Sequence, residues 1–310
     1  MPSAPHPDPP QRLARALEGH PEPAVAARWL AELPELRERA LAHWGLTAER
    51  VVSPGGRGSL VVLVRRADGT PAALKLATPV GGTAREAAAR EAAALAHWDG
   101  RGAVRLLDAR PDDGALLLER LHGEVSLRSL AEAKATLEAT SALRRLWVAP
   151  PEGHAFETVE KHTAAGAERV RAGADADVRP LVDEALAARA ALVADPAEAV
   201  LLHGDFRQGA VLASDTGRTP WLAAGPEPLV GERAYDLARL ARDRLHDLMA
   251  SGGAAAIARR RLGKLADALD VDRERLRGWT RYRAVESGVR HLARGRRAEG
   301  EALLEFAGWL

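Results

Sequence analysis

The sequence predicts an α+β fold of two lobes, a small lobe built on an antiparallel sheet and a larger, mostly helical one. Three observations lead there. Short β-type runs separated by glycine turns fill the first 120 residues, helical periodicity dominates from Leu127 onward, and one strand-like stretch, Val200 to Ala224, interrupts it.

The elements follow in order. The opening MPSAPHPDPP is proline-rich and polar, so residues 1–20 are expected to form a disordered tail. Val25, Trp29, Leu33, Leu36, Ala40 and Trp44 then recur at three- and four-residue steps, the mark of an amphipathic helix. Pro34 falls inside it as a point of kinking or division, and Gly45 is a usual terminator. Three strands come next: a short one to Ser53, Leu60 to Arg66, and Ala72 to Ala77. The glycine turn SPGGRGSL joins the first two, and an Asp68-Gly69 hairpin joins the others. A helix from about Thr83 to Trp98 and strands at Ala103–Leu107 and Ala115–Glu119 complete a five-stranded sheet with one inserted helix. The domains expected are thus a tail at 1–20, a sheet lobe at 21–122 and a helical lobe at 123–310 that carries the loop 201–231.

Composition narrows the function. The chain has 310 residues, enough for a substantial core, and 44 basic against 43 acidic residues leave no global field to draw it to nucleic acid or an anionic membrane. It has no cysteine, which excludes disulfides, thiolate metal sites and a cysteine nucleophile. No run of about 18 apolar residues occurs, so a cytoplasmic protein with a small-molecule partner is expected; composition leaves the oligomeric state open. The run ARRRLGKLADALDVDRERLRGW mixes acidic with basic residues and reads as a solvated helix pair rather than a DNA-reading one.

Four lysines occur, and Lys75 alone sits in a strand, on the face opposite Leu74 and Leu76. It is either an edge lysine reaching solvent or a phosphate-pairing ammonium held by a helix glutamate, for which Glu91 is the first candidate and Glu86 the second. Gly55 and Gly56 belong either to a plain hairpin turn, the commoner use of such a stretch, or to a place where backbone amides approach phosphates. His203-Gly204-Asp205 follows the apolar run AVLL, which presents Asp205 at a strand end. There a carboxylate either caps local amides or orients an attacking hydroxyl.

The serial order of glycine turn, strand lysine, helix glutamate, connector and His-Gly-Asp resembles a protein-kinase-like phosphotransferase. With VLLHGDFRQGAVL, PLVGERAYDLARL and LRGWTRYRAVESGV, the chain resembles the aminoglycoside phosphotransferase superfamily from about residue 20 to 310. Within that superfamily it resembles the streptomycin 6-kinase and hydroxyurea phosphotransferase family. The resemblance implies a protein-kinase-like two-lobed fold, ATP and magnesium as cofactors of an active member, and Asp205 in the catalytic-base position. It also implies a nucleotide site made by Gly55, Gly56, Lys75, Glu91, Glu119 and Leu121.

The family pattern continues with an asparagine and then an Asp-Pro-Lys-Pro motif, whose asparagine and aspartate hold magnesium. Here those positions are Ala210 and Gly225, and Phe206 and Arg207 replace the usual leucine and histidine. Neither Ala210 nor Gly225 offers a side-chain oxygen, and magnesium needs oxygen ligands. Gln208 and Glu227 are the nearest substitutes. The expectation is therefore a pseudokinase that binds a small molecule, nucleotide or partner. The alternatives are an active phosphotransferase with displaced ligands, and a kinase fold recruited to non-phosphoryl biosynthetic chemistry.

Overall fold

A computed structural model describes residues 9–20, 22–79 and 82–310. The chain forms two compact units, Met1–Val125 with Leu212–Ala224, and Ser126–Val211 with Gly225–Leu310. The segment Leu212–Ala224, placed by sequence within the helical lobe, thus groups with the sheet unit.

In the first unit, helices α1 (Gln11–Glu18) and α2 (Pro23–His43) precede strands β1 (Thr47–Val51), β2 (Ser59–Arg65) and β3 (Pro71–Ala77). Helix α3 (Ala84–Trp98) and strands β4 (Leu106–Arg110), β5 (Ala115–Glu119) and β6 (His122–Ser126) follow. The sheet is antiparallel with order β1-β2-β3-β5-β4. One of its faces buries Leu60, Val62, Val64, Leu74 and Leu76 against Trp29, Leu33 and Ala40 of α2, as the alternation of strand side chains requires.

Two expectations need correction. The disordered tail does not hold for residues 9–20, because α1 is helical and its Leu13 and Leu17, four residues apart, are buried in this core; residues 1–8 lie outside the described residues. The fourth strand runs over Leu106–Arg110 rather than Ala103–Leu107, since Ala103 instead bridges Ala223. Helix α2 runs unbroken through Pro34.

The second unit contains α4 (Glu132–Leu146), β7 (Glu157–Thr158), α5 (Val159–Ala172), α6 (Arg179–Ala194) and β8 (Val200–Leu202). Strands β9 (Val211–Ala213) and β10 (Trp221–Ala223) pair in the order β10-β9-β6 and belong largely to the first unit. The second unit resumes with β11 (Leu229–Gly231) and helices α7 (Arg233–Ala241), α8 (Leu245–Met249), α9 (Ala254–Leu269), α10 (Arg273–Leu292) and α11 (Arg297–Gly308). Helix α10 is its hub, packing on α5, α6, α7, α9 and α11, with Trp279 edge-on to both Tyr235 and Tyr282. In the α9–α10 pair, Arg275 is committed inward, its Nε 2.5 Å from the buried Glu232, while Arg273 pairs with Asp267 at the surface. Among the described residues, no helix is long and apolar enough to cross a membrane.

Candidate functional site

In the first unit, Lys75 lies in mid-strand between Val61 of β2 and Leu116 of β5, on the face turned away from the α2 core. Its Nζ meets Glu91 Oε2 of α3 at 2.5 Å, and Glu91 is 4% exposed. The other carboxylate oxygen, Oε1, is buried with no hydrogen-bond partner among the described residues. Glu86 has another task. Its carboxylate accepts from the backbone N–H of Thr83 while the Thr83 hydroxyl accepts from that of Glu86, a reciprocal cap that starts α3.

The glycine turn is closed by Val52 N–H donating to Val61 O, and Thr78 donates to Gly58 O through both its N–H and its hydroxyl. Gly55 has φ +65°, and a Cβ there would lie 2.9 Å from Val52 O and 3.2 Å from the Pro10 ring, so glycine is required. Gly56 has open space around it. At the connector, the Glu119 carboxylate accepts from Arg105 N–H at 2.7 Å and from Arg218, and Leu121 is buried.

In the second unit, β8 delivers His203, Gly204 and Asp205 to a loop held mainly through its backbone. Asp236, fully buried in α7, accepts from His203 N–H at 2.8 Å and Gly204 N–H at 2.7 Å. Asp236 lies within α7 and anchors the loop from there. Burial raises its pKa, opposed by those two donated bonds. Glu227 N–H donates to His203 O at 2.8 Å, and a Cβ on Gly204 (φ +81°) would lie 1.9 Å from Glu227 O. No side chain fits at 204. Arg283 completes the frame, donating to Gly204 O and Tyr235 O at 2.9 Å each, with its guanidinium 4.2 Å from the Tyr235 ring centroid.

Asp205 is gripped by arginines. Arg207 Nε donates to Oδ2 and Arg239 Nε to Oδ1, both at 3.0 Å. Burial by itself would raise this carboxyl, but the charges of Arg239, Arg207 and Arg283 outweigh it and hold it well below the ordinary aspartate range. Beyond it, Asp243 accepts from Gln208 N–H at 2.5 Å and lies 3.5 Å from Arg239 Nη1; burial raises its pKa against the pull of Arg239. Sequence reasoning missed Arg239 and Asp243, although their four-residue spacing on DLARLARDRL was a readable signal.

The positions that the sequence resemblance assigns to magnesium carry no ligand atom. Ala210 is 7% exposed and Gly225 is an exposed residue at φ +66°, and neither carries a ligand atom. The Gln208 amide oxygen is already taken by Arg244 Nε at 2.8 Å. Glu227 is exposed, its backbone fixed by His203. Among the described residues, no three histidine or carboxylate groups cluster as a metal site made by protein ligands alone would. The guanidiniums on Asp205 are the wrong charge for a cation's neighbours.

Comparison with known proteins decides the family. The model of the aminoglycoside/hydroxyurea antibiotic resistance kinases matches residues 43–295. The chain belongs to this family. It is 35% identical to a streptomycin 6-kinase of Streptomyces glaucescens over 283 residues, 90% of this chain and 89% of that one. It is 38% identical to a hydroxyurea phosphotransferase of Kitasatospora aureofaciens, covering 85% of this chain and 74% of that one. An aminoglycoside phosphotransferase solved as a ternary complex with ADP and hygromycin B shares the fold, with a TM-score of 0.59 at 16% identity over 87% of this chain and 96% of that chain. This family member thus has the kinase-like fold, and the fold by itself does not decide the chemistry.

Proposed function

We propose that this family member is a pseudokinase: it binds a nucleotide and a small molecule but does not transfer phosphate. The observation that carries this reading is the double arginine grip on Asp205. A catalytic base must reach the acceptor hydroxyl in its charged form with a free lone pair. Here each carboxylate oxygen accepts a guanidinium N–H, and the low pKa that this produces makes the carboxylate a poor proton acceptor. Loss of oxygen at Ala210 and Gly225 adds to this, because phosphoryl transfer depends on electrostatic stabilisation by bound metal, and removing even one comparable contact costs about 3 kcal/mol.

Nucleotide binding is the part of the family's work that the first unit can still do. Lys75, steadied by Glu91, would pair with phosphate oxygens, with Gly55 and Gly56 letting backbone approach them and Leu121 offering apolar surface. Glu119, its carboxylate satisfied by Arg218 and Arg105, would hold the connector in place.

The test is a thermal-shift titration with ATP, with and without magnesium, beside an ATP-consumption assay with streptomycin and with hydroxyurea as acceptors. The expected outcome is a shift that does not need magnesium and no acceptor-dependent turnover. Magnesium-dependent turnover that disappears in Asp205→Ala would overturn the reading, and loss of that turnover in Glu227→Ala would identify a displaced ligand.

A further inference from the structure

We propose that the arginine cluster around Asp205 in the second unit, formed by Arg207, Arg239, Arg242 and Arg290, is a binding site for an anionic small molecule carrying a carboxylate or phosphoryl group. The inference names the ligand class of the silent protein described above, and rests on that reading only for the point that the ligand stays unmodified.

The geometry begins on two packed helices. Arg239 lies on α7, and Arg242 follows three residues later at its C-terminal end. On α10, Arg283, Ser287 and Arg290 are spaced by four and then three residues, so they share one face. Helices α7 and α10 pack together, and the two sets meet at Ser287. The buried Ser287 hydroxyl accepts from Arg242 Nη1 at 2.8 Å and from Arg290 Nη2 at 3.3 Å. Arg242 Nη1 also donates to Arg283 O at 2.8 Å.

Every one of these acceptors is neutral. Among the described residues, neither Arg242 nor Arg290 has a carboxylate within the 4.0 Å of an ion pair. Asp205 is the carboxylate whose field reaches Arg242, and it is already shared by Arg207 and Arg239. Arg283 spends its own donors on backbone carbonyls. Four carboxylates, of Asp205, Asp236, Asp243 and Glu286, thus face five guanidiniums, at 207, 239, 242, 283 and 290, and the three aspartates are already engaged by backbone N–H groups or arginines.

Such an excess is costly in a partly desolvated place. Burial, then the charges of Arg239 and Arg283, pull the pKa of Arg242 well below that of a free guanidinium. Because arginine does not give up its proton in proteins, the strain is relieved by an anion rather than by deprotonation. Guanidinium forks match carboxylate and phosphoryl oxygens in bidentate fashion, which sets the ligand class. A polycationic aminoglycoside would be repelled by the same charges.

Isothermal titration of the full chain with citrate and with inorganic phosphate, without metal, tests the site. The expected result is saturable binding of at least one probe, weakened about tenfold or more in Arg290→Gln and in Arg242→Gln. Arg290 is exposed, so its variant keeps the fold if Arg242→Gln does not. No saturable binding of either anion, or affinity unchanged in Arg290→Gln, would overturn the proposal. A chain that consumes ATP yet binds citrate through Arg290 keeps this site and overturns only the silent reading. A silent chain that binds neither anion does the reverse.

Discussion

The Lys75–Glu91 pair of the first unit and the 203–227 loop of the second have gone opposite ways. In the first, the chemical groups survive: a strand ammonium meets a buried carboxylate at 2.5 Å, and a free carboxylate oxygen remains beside it. In the second, the backbone is held firmly while the side chains depart from the family pattern. Asp236 and Glu227 hold residues 203 and 204 with bonds of 2.7–2.8 Å, yet the ligand positions are Ala210 and Gly225 and the aspartate is clamped. The contrast teaches that the shape of such a loop and its reactivity are carried by different residues.

The largest expected effect strikes the frame. Gly204→Ala drives a Cβ into a carbonyl oxygen 1.9 Å away, and should cost more than about 4 kcal/mol, read as loss of soluble protein or a collapsed melting temperature. A stable Gly204→Ala protein would break the claim that the loop backbone is over-determined. Next comes Lys75→Met, which strands the buried Glu91 charge at a cost of about 3 kcal/mol; adding Glu91→Leu should recover most of it, because a buried ion pair is replaced by apolar packing. Calorimetric unfolding of the single and double variants decides this.

The comparison is sharpened by restoring the chemistry. The triple variant Arg207→His, Ala210→Asn and Gly225→Asp should raise magnesium-dependent ATP turnover on the order of a hundredfold above background, with little change in stability. Aspartate tolerates the left-handed backbone at 225 better than most residues. Asp236→Asn should destabilise by about 2 kcal/mol, since an amide offers one acceptor oxygen to two buried N–H donors.

The smallest effect is on acid stability. Asp205 has a depressed pKa, so its contribution is present above the ordinary aspartate value of about 4 and is lost as pH falls below it. Asp205→Asn should flatten that acid limb of the melting curve, and an unchanged limb would show that the arginines do not stabilise the charged form.

The order of the elements was legible because it rests on local pattern. Period-two strands and the Asp68-Gly69 hairpin each act over a few residues. The site was legible where it lies in one stretch, as with Lys75, Glu91 and the loss at 210 and 225. The clamp was not, since Arg239 is 34 residues from Asp205 and only the return of α7 brings them together. Even so, the faces Arg239–Asp243 and Arg283–Ser287–Arg290 are helical spacings that a search for charged as well as apolar periodicity would have found. Helix α1 was hidden differently: the prolines before it suggested disorder and masked the four-residue step from Leu13 to Leu17.

That helix matters at the bench. A boundary drawn at residue 20 would discard two core leucines, the Pro10 ring that lies against Gly55, and the His20 ring that meets Pro79 O at 3.3 Å. A shortened protein tested for ATP binding would then report on its missing floor, and a negative result would be credited to the wrong end of the molecule.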